Sequence, residues 1–188
     1  PKEERSPEGQ GYDHSRYMGR VIADTVKCLW DGGVEHTDAR ITGEICTVYN
    51  KTNTEGEETY AEQKAFYDDY EAGKFEKPPH ITLLARAQRV IGLRHASLYQ
   101  AVPITLLTLG DIVFLGIGGE PFTHYTRIAH KLAVGKTVFC SSNSNGYVGY
   151  LPHARAYSEG GYEASSSLFS APLEEQITEA LSKMLAKL

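Results

Sequence analysis

The chain has 188 residues, 41% of them hydrophobic and 23% charged, enough to bury a real core within one domain. A formal net charge of -5, with no run of lysine and arginine interleaved with aromatics, excludes the basic footprint of a nucleic-acid binder. The longest apolar runs, at 102–109 and 112–117, are far shorter than the roughly 20 residues of a membrane-spanning helix, so no transmembrane segment is expected.

Residues 1–13 are polar and read as loop. From Ser15 the apolar residues Met18, Val21, Ile22, Val26, Leu29 and Trp30 recur at spacings of three and four, which predicts an amphipathic helix stopped by Gly32 and Gly33. Such a helix needs a sheet to cover. Over 40–49, Ile41, Ile45, Thr47 and Tyr49 alternate, which predicts a half-buried strand, and 50–58 reads as a polar linker. Residues 59–73 predict a second helix, with Tyr60, Phe66, Tyr67 and Tyr70 as core or groove wall and Gly73 as its stop.

After Pro78 and Pro79 a third helix is expected, with Ile81, Leu84, Ala85, Val90 and Ile91 as its apolar stripe and Arg86, Arg89 and Arg94 as a solvated edge. Two apolar runs, 100–109 and 112–117, are joined by Gly110 and Asp111, short enough for an antiparallel hairpin. Their nearly continuous Val, Ile, Leu and Phe content suggests burial on both faces. A helix over 122–134, a strand over 136–140 and a final helix after Pro172 complete the order. In the last helix Glu174 and Glu175 precede, and Lys183 and Lys187 follow, a face of Ile177, Leu181, Met184, Leu185 and Leu188, a charge order that complements the helix dipole. The fold class is therefore mixed α/β, an antiparallel hairpin within a mixed sheet covered by helices.

Cys28, Cys46 and Cys140 lie far apart, with neither a disulfide framework nor a zinc-finger spacing, and read as buried small hydrophobes. The seven histidines are dispersed; His124 and His130, six apart, do not share a helix face as an H-x-x-x-H zinc pair does. No G-x-S-x-G elbow, P-loop or nucleotide fingerprint is present.

Chemistry gathers in three short stretches: VFLGIGGEPFT at 113–123, NSNGYVGYLP at 143–152 and EGGYE at 159–163. An apolar strand there runs into Gly118 and Gly119 and then presents Glu120. A carboxylate at that junction suits packing poorly and suits a metal ligand or an acid–base group well. The plainer reading is a carboxylate capping a helix that starts at Pro121. Tyr147, Tyr150, Tyr157 and Tyr162 fall among turn residues. Aromatics so spaced are usually core, but a phenol can also donate to a developing oxyanion.

These same residues resemble the neutral/alkaline ceramidase family, and more closely its uncharacterised bacterial relatives. PITLLTLGDIVFLGIGGEPFT at 103–123 looks like the family's strand, Gly-Asp turn, strand and Gly-Glu-Phe-Thr block. NGYVGYLP, AYSEGGYE and the small-residue stretch before the last helix continue the match. Where the characterised members have Gly-Glu-Phe, this chain has Gly-Glu-Pro-Phe.

The resemblance implies a zinc-dependent hydrolase cleaving the amide (N-acyl) bond of a lipid-like substrate. It assigns zinc ligands to Glu120 and Tyr150 and a catalytic role to Tyr162. The family's two histidine ligands belong to upstream motifs with no match here, so residues 1–188 read as a single domain forming the C-terminal half of a larger catalytic domain. The missing N-terminal half would then be the partner that completes the site, and the resemblance favours an extracellular or periplasmic setting. Two other readings stay open: a zinc hydrolase of another substrate class on the same scaffold, and a non-catalytic binding module.

Overall fold

The computed structural model describes residues 11–35 and 40–188. The chain falls into two compact units, Pro1–Thr37 and Asp38–Leu188. The described part of the first is one helix, α1 (Gly11–Trp30). It starts earlier than expected, at Gly11, because Ser15 bonds back to the Gly11 carbonyl and Asp13 pairs with Arg16 in the first turns. The remainder of the expected N-terminal loop, 1–10, lies outside the described residues. α1 ends as its glycines dictate, with Gly32 and Gly33 N–H bonded to the Leu29 and Trp30 carbonyls. Its apolar stripe is not buried.

The second unit is built on four strands: β1 (Ile41–Lys51), β2 (Tyr99–Leu109), β3 (Ile112–Ile117) and β5 (Thr137–Ser141), in the order β1-β2-β3-β5. β1, β2 and β3 are antiparallel neighbours, and β5 is parallel to β3 after a crossover. Gly110 takes a φ of 56° in the β2–β3 turn, where a side chain would be strained. The crossover is α4 (Thr123–Leu132), and the last helix, α7 (Leu173–Leu185), packs beside it on the same side of the sheet. Between β1 and β2 stand α2 (Glu57–Glu71) and α3 (Ile81–Arg94), packed on each other.

The core lies between that helix layer and one face of the sheet. Val102, Ile104 and Leu106 of β2 and Val113, Leu115 and Ile117 of β3 meet Tyr125 and Ala129 of α4 and Ile177, Leu181 and Met184 of α7. Each fully buried Leu or Ile contributes about 1.5–3 kcal/mol. Leu188, expected on the buried face of α7, is exposed beyond the helix end.

The opposite face of the sheet is open, which corrects the expectation of burial on both faces. Register places Gly43, Leu107, Phe114 and Phe139 in one row across the strands, flanked by Ile41 and Ile45 of β1. Leu107, Phe114 and Phe139 are exposed, and Phe114 stacks on Phe139 at 5.4 Å. The near-continuous apolar runs therefore alternate between a buried and an open apolar face. β1 is also turned over relative to expectation. Ile45 is 73% exposed, while Val48 and Asn50 point inward.

Asn50 is tolerated inside because every polar end is used: Nδ2 donates to Gln176 Oε1 at 2.8 Å, and Oδ1 accepts from Ser170 N at 2.8 Å and Ser170 Oγ at 3.1 Å. Thr52 is likewise buried and bridged to Phe169, so the expected linker at 50–58 is structured up to that point. In α2 the aromatics are half-buried or exposed rather than core, and α3 buries Leu84, Ala87, Val90 and Leu93 while Ile81 stays out. Arg94 pairs with Glu57, and Arg89 donates to the Ser167 carbonyl at 2.6 Å, so the arginine edge is partly structural. None of the cysteines is fully buried: Cys28 is exposed, and Cys46 and Cys140 are intermediate. No helix among the described residues is long and apolar enough to cross a membrane.

Candidate functional site

The site grows from the end of β3. Beyond Ile117 the chain must bring a second segment, 142–149, directly over the strand end, and glycines make that approach possible. A Cβ on Gly116 would lie 2.7 Å from Ser144 Cβ, and one on Gly118 2.4 Å from Pro103 Cγ. Gly119, at a φ of 135°, would bring a Cβ within 2.8 Å of the Gly149 carbonyl. The crossing segment is held in turn by Asn143 N to Gly119 O at 2.7 Å and Ser144 N to Ile117 O at 3.1 Å. Asn143 and Asn145 adopt the left-handed conformation that asparagine accepts better than most residues.

The two segments then run side by side as short parallel strands, β4 (Glu120–Pro121) and β6 (Tyr150–Leu151), with Glu120 directly opposite Tyr150. Glu120 N donates to Gly149 O at 2.8 Å and Phe122 N to Leu151 O at 3.2 Å. Pro121 falls between these two donors, at the one position whose missing N–H the ladder does not need. This corrects the placement of Pro121 at the start of a helix. α4 begins at Thr123 with Phe122 as its N-cap residue, so Glu120 is a strand residue and caps nothing.

Around the half-buried Glu120 carboxylate the structure brings three tyrosines. Hydrogen bonding to Glu120 and its negative charge together push the Tyr147 phenol up from its ordinary value. Tyr150 is pushed up first by loss of solvent contact and then by the charge of Glu120. The Tyr162 ring packs edge-on against Tyr150 at 5.7 Å. All three phenols therefore belong to one cluster, and the surroundings of Tyr147 and Tyr150 both disfavour the phenolate. Tyr147 and Tyr162 are 69% and 68% exposed, so the cluster opens outward rather than sealing a core.

Tyr162 heads the short helix α6 (Tyr162–Ser166), which follows α5 (Ala154–Glu159) across Gly160 and Gly161, with φ of 78° and 107°. These two helices replace the turns expected there. Tyr157 stands apart from the cluster: it is half-buried, and its hydroxyl meets Ser167 Oγ at 3.2 Å. Ser167 is fully buried and donates through Oγ to the Tyr150 carbonyl at 2.9 Å, fixing the backbone from which that phenol projects.

Glu120, Tyr150 and Tyr162, singled out from sequence, are thus neighbours in space. Tyr147 was visible in the same turn, but only the fold shows that its phenol is shifted chiefly by Glu120. The role of Ser167 in holding the segment belongs to no local pattern in the sequence. A metal ion has an incomplete donor set here. Among the described residues no three His, Cys, Asp or Glu side chains are grouped to hold one. His124 and His153 are committed to Glu174 and to the α5 N-terminus respectively. One carboxylate and neighbouring phenols do not make the three-ligand set typical of catalytic zinc, so the described residues on their own do not fit that ion.

No family model and no curated protein matches the chain. Among solved structures, a neutral ceramidase from Pseudomonas aeruginosa aligns with a TM-score of 0.50 at 14% identity, over 79% of this chain and 29% of that one. A structure described as a ceramidase complexed with C2 aligns with a TM-score of 0.41 at 22% identity, over 46% of this chain and 15% of that one. The first likeness is one of fold. The chain spans less than a third of the length of either structure.

Proposed function

We propose that the Glu120 cluster is one wall of the active site of a ceramidase-like hydrolase that cleaves an amide (N-acyl) bond. The observation that carries the reading is the meeting of one carboxylate with three phenols, those of Tyr147 and Tyr162 exposed, at the end of a sheet, on a fold shared with part of a neutral ceramidase. Glu120 would accept a proton or carry negative charge toward a cation, and the phenol of Tyr162 would donate to the oxyanion of a tetrahedral carbon. Tyr147, whose phenol is shifted chiefly by Glu120, would help to orient the carboxylate.

Zinc belongs to this proposal with Glu120 and Tyr150 as its ligands on this chain, the remaining donors coming from another part of the polypeptide. The open apolar face of the sheet supports that division, because large exposed apolar patches mark surfaces made to be covered. A lipid-like N-acyl compound is the substrate class proposed. In the full-length protein, Glu120→Gln should weaken zinc binding measured by calorimetry and slow turnover of a fluorescent N-acyl substrate. Wild-type values for both would remove Glu120 from the site.

A further inference from the structure

The geometry points to Glu174 as a positioning residue that clamps the two strands carrying Glu120 and Tyr150. Its value to chemistry rests on the hydrolase reading above; the clamp itself does not. β4 and β6 pair over only two residues each, too short a ladder to hold itself. Both strands leave the site in the same direction, one into α4 and the other through Pro152 and His153 into α5. Glu174, in the first turn of α7, closes that exit.

One carboxylate oxygen, Oε1, accepts from His124 Nε2 at 2.7 Å, and the other, Oε2, accepts from the Ala154 backbone N–H at 2.6 Å. His124 is four residues past Glu120, and Ala154 is four residues past Tyr150. The same side chain thus ties both strands at equal remove from the two residues that face each other in the site. Beneath it the fully buried Tyr125 donates its hydroxyl to the Pro152 carbonyl at 2.9 Å, a second tie between the same two exits. His153 packs against both Phe122 and His124, at 5.4 and 5.5 Å between rings, filling the space between them.

A carboxylate that only complemented the α7 dipole would need no directional partners, and the exposed Glu175 beside it meets that need already. Glu174 instead spends both oxygens on other elements. Charge-assisted bonds of this length are the stronger kind. The backbone N–H of Ala154 is the main reason that its carboxyl is held below the ordinary glutamate value, with His124 adding to it.

The test is site-resolved amide exchange in the full-length protein, comparing wild type with Glu174→Ala and Glu174→Gln. Glu174→Ala should speed exchange at Glu120, Phe122 and Ala154 by about tenfold or more while amides between β2 and β3 keep their rates. Glu174→Gln retains an acceptor for Ala154 and should recover part of the protection. Unchanged exchange at those three amides, or acceleration spread equally over the whole sheet, would overturn the clamp. Because none of these readings needs turnover, a clamp that holds beside an inert Glu120→Gln result would reject the hydrolase reading alone.

Discussion

At the scale of single residues, Gly119 shows most clearly how backbone makes the site. It combines a positive φ with a carbonyl only 2.8 Å from where a Cβ would stand. Gly119→Ala should therefore push the 142–149 segment off the strand end and cost about 1–3 kcal/mol, measured by denaturant unfolding, whereas Gly92→Ala, where no atom lies within 4 Å, should be neutral or stabilising. Tyr162→Phe should leave zinc affinity of the full-length protein unchanged and lower turnover by roughly 10²–10³-fold, the size of one oxyanion donor. Equal turnover in that variant would strip Tyr162 of its role. Glu120 could be singled out from sequence because a carboxylate after paired glycines is a locally odd choice, whereas Tyr150 and Tyr162 stood out from the other turn tyrosines only through the family resemblance. Ser167 and Glu174 could not, since a serine in a small-residue stretch and a glutamate in a helix first turn are ordinary until their partners in other elements are known.

At the scale of elements, the clamp between α7, α4 and α5 carries a pH dependence. Binding to Ala154 N–H and to His124, with His153 nearby, lowers the Glu174 carboxyl in the folded state. A depressed carboxyl contributes its stability above the unfolded value, near 4.5, and loses it as pH falls through the folded value. Protection of the Ala154 amide should accordingly persist down to about that pH and fall below it, and in Glu174→Gln this acid step should disappear. The sequence foretold the hairpin at Gly110, a helix at α4, a strand at β5 and most of the buried stripe of α7, all of them elements with strong period or turn chemistry; that β5 runs parallel to β3 was not legible. It misassigned the inward face of β1, because Asn50 enters the core on three hydrogen-bonding groups that lie 120 and 126 residues further along the chain. It also missed β4 and β6, whose two-residue pairing leaves no periodic trace.

At the scale of the whole molecule, the second unit is a helix layer on one face of a four-stranded sheet, with the other face apolar and open among the described residues. The covered side should behave as a normal core: Leu181→Ala, at a fully buried position of α7, should cost about 2–5 kcal/mol, while Ile45→Ala on the open face should cost little in the isolated chain. The fold agrees with part of a neutral ceramidase, and the candidate site sits where two glycine-bearing segments cross at the end of the sheet. The central claim is that Glu120 serves both metal and chemistry there. Zinc titration of the full-length protein by calorimetry, with Glu120→Gln beside wild type and hydrolysis of a fluorescent N-acyl substrate followed on the same samples, tests it most directly. The account predicts that affinity drops by more than the roughly 10–100-fold typical of outer-shell changes and that turnover falls with it; wild-type affinity together with wild-type turnover in Glu120→Gln would contradict it.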